Sequence, residues 1–336
     1  MGRRRGALTA LPLIALASSV MAAQTADTAL RPVTPPRIRG EIHARDSATA
    51  YVYTRPRTLQ SVTDVPAALG VATRDAFRIR HAPMLAAIAI STGALIAADE
   101  VVLAETRRFA RRVDLPPNHP SANLRIGPLK QPFPTTLGSG LYFLGDGMMS
   151  VIVAGSFAAR GSLANDMRAR RTASEVIEGL LAAGTVTQVL KHTAGRQTPS
   201  EATVPRGRWR PFAKLSDYNK NVPAYDAFPS GHLASTMSTV TVIALNYPEH
   251  KFIWPVGTVA MGVLSFAMVN NGVHWASDYP LALGIGGVIG KTVVNRGRKV
   301  VKLSVASEVA PGTTGRVPAA IRPIFAPGVI GFRATW

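Results

Sequence analysis

Apolar residues gather into six long runs, at 83–98, 139–159, 176–190, 233–246, 252–270 and 280–295. Each is long and mostly free of proline, so each predicts a helix. Polar, arginine-bearing connections separate them, notably 103–138 and 193–228. A bilayer span needs about 20 apolar residues, and FIWPVGTVAMGVLSFAMVN at 252–270 meets that length. Several other runs are shorter or carry Thr, Ser, Glu and Gln; VIEGLLAAGTVTQVL at 176–190 suits the core of a soluble bundle equally well. The pattern predicts an all-α helical bundle of about six core helices, membrane-associated, with an irregular N-terminal segment and C-terminal tail.

The ends read differently from this 81–295 helical domain. Residues 1–23 begin MGRRRGALTALPLIALASSV, a basic stretch followed by an apolar one and small residues, the pattern of a secretory signal peptide or of an uncleaved anchor. Residues 24–80 are rich in Pro, Thr, Ala and Arg, and RPVTPPRIRG predicts an extended linker. After Lys291 the chain turns basic (NRGRKVVK), and residues 296–336 form a Pro/Gly-punctuated tail whose short apolar runs suggest a β-like appendage.

Composition narrows the function classes. The 336 residues contain no cysteine, which excludes disulfides, thiolate metal sites, cysteine nucleophiles and a lipoprotein anchor. A net charge of +19 favours anionic partners, yet only 17% of residues are charged and 47% are hydrophobic. No polar face interleaves aromatic and basic residues as a nucleic-acid binder would, so phosphorylated lipids or small phosphoesters are the expected partners, at a membrane.

The chemistry concentrates in three short stretches. YDAFPSGH ends at His232, immediately before an apolar run, and Ser230-Gly231 at such a helix start presents unpaired amides to an anion. Gly231 also permits close approach to the backbone. GVHWASD places His274 and Asp278 four apart, so that on a helical turn they share a face and the carboxylate can fix the imidazole tautomer. LKHTAGRQTP brings Lys191 and Arg196 out of an apolar helix into a glycine-containing loop. Two cations at a helix end are also ordinary partners of its dipole, so this stretch is weak alone.

Taken in chain order, the three stretches resemble the signature of the type-2 phosphatidic acid phosphatase superfamily, which includes class A acid phosphatases and vanadium haloperoxidases. Its pattern is K-x6-R-P, then P-S-G-H, then S-R-x5-H-x3-D, and the resemblance covers roughly residues 83–295. It implies that His274 attacks phosphorus to form a phosphohistidine, that Asp278 orients it, and that His232 serves as general acid. Lys191 and the amides near Ser230 and Gly231 would hold the phosphoryl oxygens, with no metal or other cofactor required.

Three positions depart from that pattern, two of them the motif arginines. Thr198 stands where the first motif has its arginine, and Ala267-Met268 where the third has Ser-Arg. Loss of one transition-state donor costs about 3–4 kcal/mol. Arg196, two residues from the vacated place, is the expected substitute; Arg206, Arg208, Arg210, Lys214 and Lys220 are further cations in the following connection. The reading is a phosphatase acting on a phosphomonoester or diphosphate, for instance phosphatidate or undecaprenyl diphosphate. The alternatives are a degenerate lipid-phosphate binder or another anion chemistry, such as peroxidation or phosphotransfer. A bacterial inner membrane with the site facing the periplasm is the expected location, or a soluble or peripheral periplasmic one. If a signal is cleaved and all six runs span, the Lys191 and His232 loop falls on the cytoplasmic side, so one of those conditions must yield.

Overall fold

The structure is a computed structural model that describes residues 40–46, 48–117, 121–126, 129–136, 140, 143, 145, 147–302, 320–326 and 329–335. Each of the six apolar runs contributes to a helix. They are α2 (Ala82–Arg112), α3 (Gly147–Leu163), α4 (Met167–Ala194), α5 (Gly231–Asn246), α6 (Ile253–Asn270) and α7 (Tyr279–Gly297), preceded by a shorter α1 (Val65–Ala76). The signal-like residues 1–23 lie outside the described set.

The core forms where α4, α5 and α7 pack. Leu233, Met237, Leu264, Met268, Tyr279 and Ile289 are all buried there. Small residues let the backbones approach: a Cβ on Gly286 would meet Ala234 O, and one on Gly290 would meet Ser238 O at 2.8 Å. These two glycines lie four apart on one face of α7, the small-residue spacing that brings two helices into close contact. The 176–190 run is accordingly core: α4 buries Val176, Ala182, Ala183 and Thr187.

Among the described residues two helices are long and apolar enough to cross a membrane, by length and composition, one over Ile79–Arg112 and one over Ile253–Asn270. Both expose large apolar side chains, among them Ile90, Val101, Val256 and Val259.

The linker expected over 24–80 is folded from residue 41 onward. Strand β1 (Glu41–Ala44) pairs antiparallel with β2 (Thr49–Tyr53), which pairs with β5 (Lys299–Lys302) from the segment after α7. TAYVY supplies the β-branched and aromatic residues that such a strand needs, and α1 buries Ala68 and Ala72 in the core. Proline and arginine content hid both. The sheet is tied to the bundle: Glu41 Oε2 accepts from the first-turn amide of Met167 at 2.7 Å, and Tyr53 Oη donates to Asn246 O. Two further hairpins, β3–β4 (Ser121–Ile126 with Leu129–Pro134) and β6–β7 (Ala320–Ala326 with Val329–Thr335), complete the described strands. The second of them matches the β-like appendage expected of the tail.

Candidate active site

The three sequence stretches converge at one end of the bundle. Lys191 ends α4, His232 opens α5, and His274 lies in the loop joining α6 to α7. Gly195 terminates α4 in the left-handed conformation (φ 58°), and its amide bonds Lys191 O at 2.8 Å. A Cβ there would run into the carbonyl of Arg210, so the turn requires glycine. The chain then passes Arg196, which bridges to both Trp209 and Asp226. In this way the first motif lies beside the segment leading into the second. The Ser230 amide donates to Asp278 O at 3.1 Å, tying the second motif to the third.

His274 is buried, 1% exposed. Its Nδ1 lies 2.8 Å from Ala227 O and 3.5 Å from Asp278 Oδ2. The carbonyl can only accept, so Nδ1 carries the proton and Nε2 presents its lone pair. That lone pair faces His232, whose Nδ1 is 3.4 Å away. Burial pushes His274 down to about 3, and the positive charge of Lys191 adds to the effect. The ring is therefore neutral at ordinary pH, as a nucleophile must be.

Asp278 was expected to orient His274, but its shorter bonds go elsewhere. Oδ2 accepts from the Trp275 amide at 2.7 Å, and Oδ1 accepts from Arg196 at 2.6 Å. Burial pushes this carboxyl up to about 7, against the opposing pull of Arg196 and the Trp275 amide. Asp278 holds the loop that carries His274, while a main-chain carbonyl makes the closest contact to the ring.

Arg196 corrects a second expectation. Instead of offering donors to phosphate, it is fully buried and all five of its N–H groups have partners. Nη1 donates to Asp278 Oδ1 and Ser277 Oγ, each at 2.6 Å; Nη2 donates to Asp99 Oδ2 at 2.7 Å and to Arg206 O at 2.9 Å; Nε donates to Arg206 O at 3.3 Å. Asp99 reaches this point from α2 and also accepts from the amide and hydroxyl of Ser277. A guanidinium balanced by two buried carboxylates has no donor left for a ligand. Ser230 is likewise committed: its amide to Asp278 O, its Oγ to the Leu233 amide at 3.3 Å.

What faces the reacting side is smaller. Gly231 is open there, since a Cβ would stand 3.8 Å from both Lys191 Nζ and Thr187 Oγ1. Lys191 Nζ donates to Asp226 Oδ2 at 2.8 Å, and both side chains are largely shielded. Thr198 and Met268, at the two vacated arginine places, are buried, and Met268 packs in the core. Among the described residues no three His, Asp or Glu side chains converge in a way that would hold a metal ion. Sequence reading missed Asp99, Ser277, Asp226 and the Ala227 carbonyl. The available signal was an aspartate at the end of the apolar run of α2, where Asp99 closes 83–98, a position that can call for a buried partner.

The family model of the PAP2 superfamily matches residues 173–301, a range that takes in every one of these motif residues except Asp99. No curated protein and no solved structure matches the chain.

Proposed function

We propose, from the membership of residues 173–301 in the PAP2 superfamily, that this chain is a phosphatase working through a phosphohistidine. The superfamily generally comprises phosphatases acting on phosphoesters. The single observation that carries the finer reading is the lone pair of a buried, neutral His274 aimed at His232.

The steps follow from that pair. His274 Nε2 donates its lone pair to phosphorus as the bond to the leaving oxygen breaks, and the leaving oxygen takes its proton from His232. Water then attacks the phosphohistidine, its proton passes to His232, and the N–P bond electrons return to Nε2. Lys191 and the first-turn amide of Gly231 would hold the phosphoryl oxygens. At 3.4 Å the two rings stand too close to admit a phosphoryl group. Attack needs about 3 Å to phosphorus, and the acid about 2.6–3.2 Å to the leaving oxygen, so roughly 6 Å must separate the nitrogens. Substrate entry therefore swings the His232 ring away from His274.

A lipid phosphate suits the placement. Asp99 lies about 25 Å along α2 from Ala82 at 1.5 Å per residue, near the far face of a hydrocarbon layer about 30 Å thick. The basic end of α2 (Arg107, Arg108, Arg111, Arg112) follows directly. With α2 and α6 in the bilayer, the site lies at head-group depth, and carbonate extraction should leave the protein in the membrane fraction.

The test is phosphate release by purified full-length protein, without added metal, over a panel of lipid and soluble phosphomonoesters and diphosphates. His274→Ala should abolish release, and denaturing the turning-over wild type at alkaline pH should trap a phosphoenzyme that acid then hydrolyses. Release unaffected by this change refutes the mechanism. Burial of Thr198 and Met268 at the clamp positions favours one other reading, a lipid-phosphate binder. Wild-type protein that binds phosphate yet releases none would establish it.

A further inference from the structure

Asp226 holds Lys191, the cation beside the open face of Gly231. The Asp226 carboxylate accepts from Lys191 Nζ at 2.8 Å. Its position is fixed by the backbone, because the chain at Asp226 bridges to Arg196 and the next residue supplies the carbonyl that receives the His274 Nδ1 proton. Asp226 lies close enough to favour positive charge on His274 electrostatically, so it stands at the reacting centre, not on a distant rim.

The charges around this centre do not add to an anion trap. Lys191 and Arg196 are positive; Asp99, Asp226 and Asp278 are carboxylates, and Arg196 is taken up by Asp99 and Asp278. Lys191 is then matched by Asp226, and Thr198 and Met268 add no charge. A phosphate entering here must displace one carboxylate from the lysine and then remain near it. That arrangement repels a dianion more than a monoanion, because like charges in a poorly solvated cleft interact strongly.

Building on the proposed function, we infer that Asp226 is a specificity-determining residue: it competes with the substrate for Lys191, and so selects phosphate groups carrying a single negative charge over dianionic ones. Among phosphomonoesters and diphosphates, this favours the form whose terminal phosphate retains its second proton, a single charge for which dimethyl phosphate stands in.

Direct binding tests it without turnover. Full-length protein in detergent is titrated at pH 8 with methyl phosphate, a dianion, and with dimethyl phosphate, a monoanion. Asp226→Asn should tighten methyl phosphate binding on the order of tenfold, the effect of freeing one charge-assisted hydrogen bond. Dimethyl phosphate should gain clearly less. With Lys191→Met in the background, Asp226→Asn should produce no gain. Asp226→Ser serves as a second variant should the first fold poorly. Equal gains for the two probes, no gain, weaker binding, or no binding of either probe to any of the proteins would overturn the inference. Gain on binding together with an inactive wild type would refute the phosphatase reading and leave the role of Asp226 standing.

Discussion

Replacing Arg196 with methionine separates a structural arginine from a phosphate ligand. Methionine keeps an unbranched stem that reaches as far as Nε and carries no donor, while the guanidinium it removes sits over the Trp209 and Trp275 rings at 4.9 and 5.3 Å. The change removes five donated hydrogen bonds and leaves Asp99 and Asp278, each with 0% side-chain exposure, without a counter-charge. Breaking a buried ion pair by removing one partner costs about 3–5 kcal/mol. At about 2–4 °C per kcal/mol for a domain of this size, Arg196→Met should melt about 6–20 °C lower. Adding Asp99→Asn removes one stranded charge and should recover part of the loss, since the two residues share one network. The assays are thermal unfolding in detergent and titration of inorganic phosphate well below the melting range. Arg196→Met should lower the melting temperature with little change in phosphate affinity. A melting temperature unchanged within about 2 °C, with phosphate affinity reduced about 100-fold, would refute this account and return Arg196 to the clamp; the 2 °C bound follows from the same scaling and the affinity loss from an arginine donor withdrawn.

Other expectations are independent of that one. Gly231→Ala should leave the melting temperature nearly unchanged, because its Cβ meets only ordinary contacts at 3.8 Å, yet it should weaken phosphate binding by filling the space before Lys191. Equal binding in the two proteins would show that the anion does not enter there. His274 is held down to about 3, so the acid limb of kcat/KM should fall well below pH 6.5; a limb near 6.5 would contradict the buried, neutral ring. At the opposite end of α4, burial pushes Glu175 up to about 8 and Glu178 up to about 7. The folded chain therefore keeps protons that the unfolded chain releases above about pH 4.5, and stability falls as pH rises from there toward 8. Glu175→Gln should flatten that slope by up to about 1.4 kcal/mol per pH unit, measured as melting temperature at pH 5.5 and 8. Parallel curves for wild type and variant would show Glu175 to be ionised in the fold.

The helices were legible because long apolar runs almost free of proline survive in one chain. The two histidines were legible because glycine, serine and proline around them mark a helix start and a tight loop. The partners of those residues were not. Asp99 meets Arg196 across 97 positions, and only the packing of α2 against the α6–α7 loop brings them together. Arg196 looked available because a loop arginine is ordinarily solvated, and its carboxylates come from elements distant in sequence. The β1–β2 pair was hidden for a similar reason: its partner β5 lies after α7, and a strand whose neighbour is distant leaves little local signal. The identity of the group closest to the His274 ring could not be read from side chains at all, since it is a carbonyl every residue possesses.

That carbonyl has a lasting consequence. Because Ala227 O fixes which imidazole nitrogen keeps its proton, the tautomer of His274 is set by the course of the main chain. A changed side chain at Asp278 would loosen the loop, but the ring would keep its proton on the same nitrogen. A substitution at any side chain around His274 therefore leaves the same imidazole nitrogen without a proton, so long as the backbone at residue 227 keeps its course.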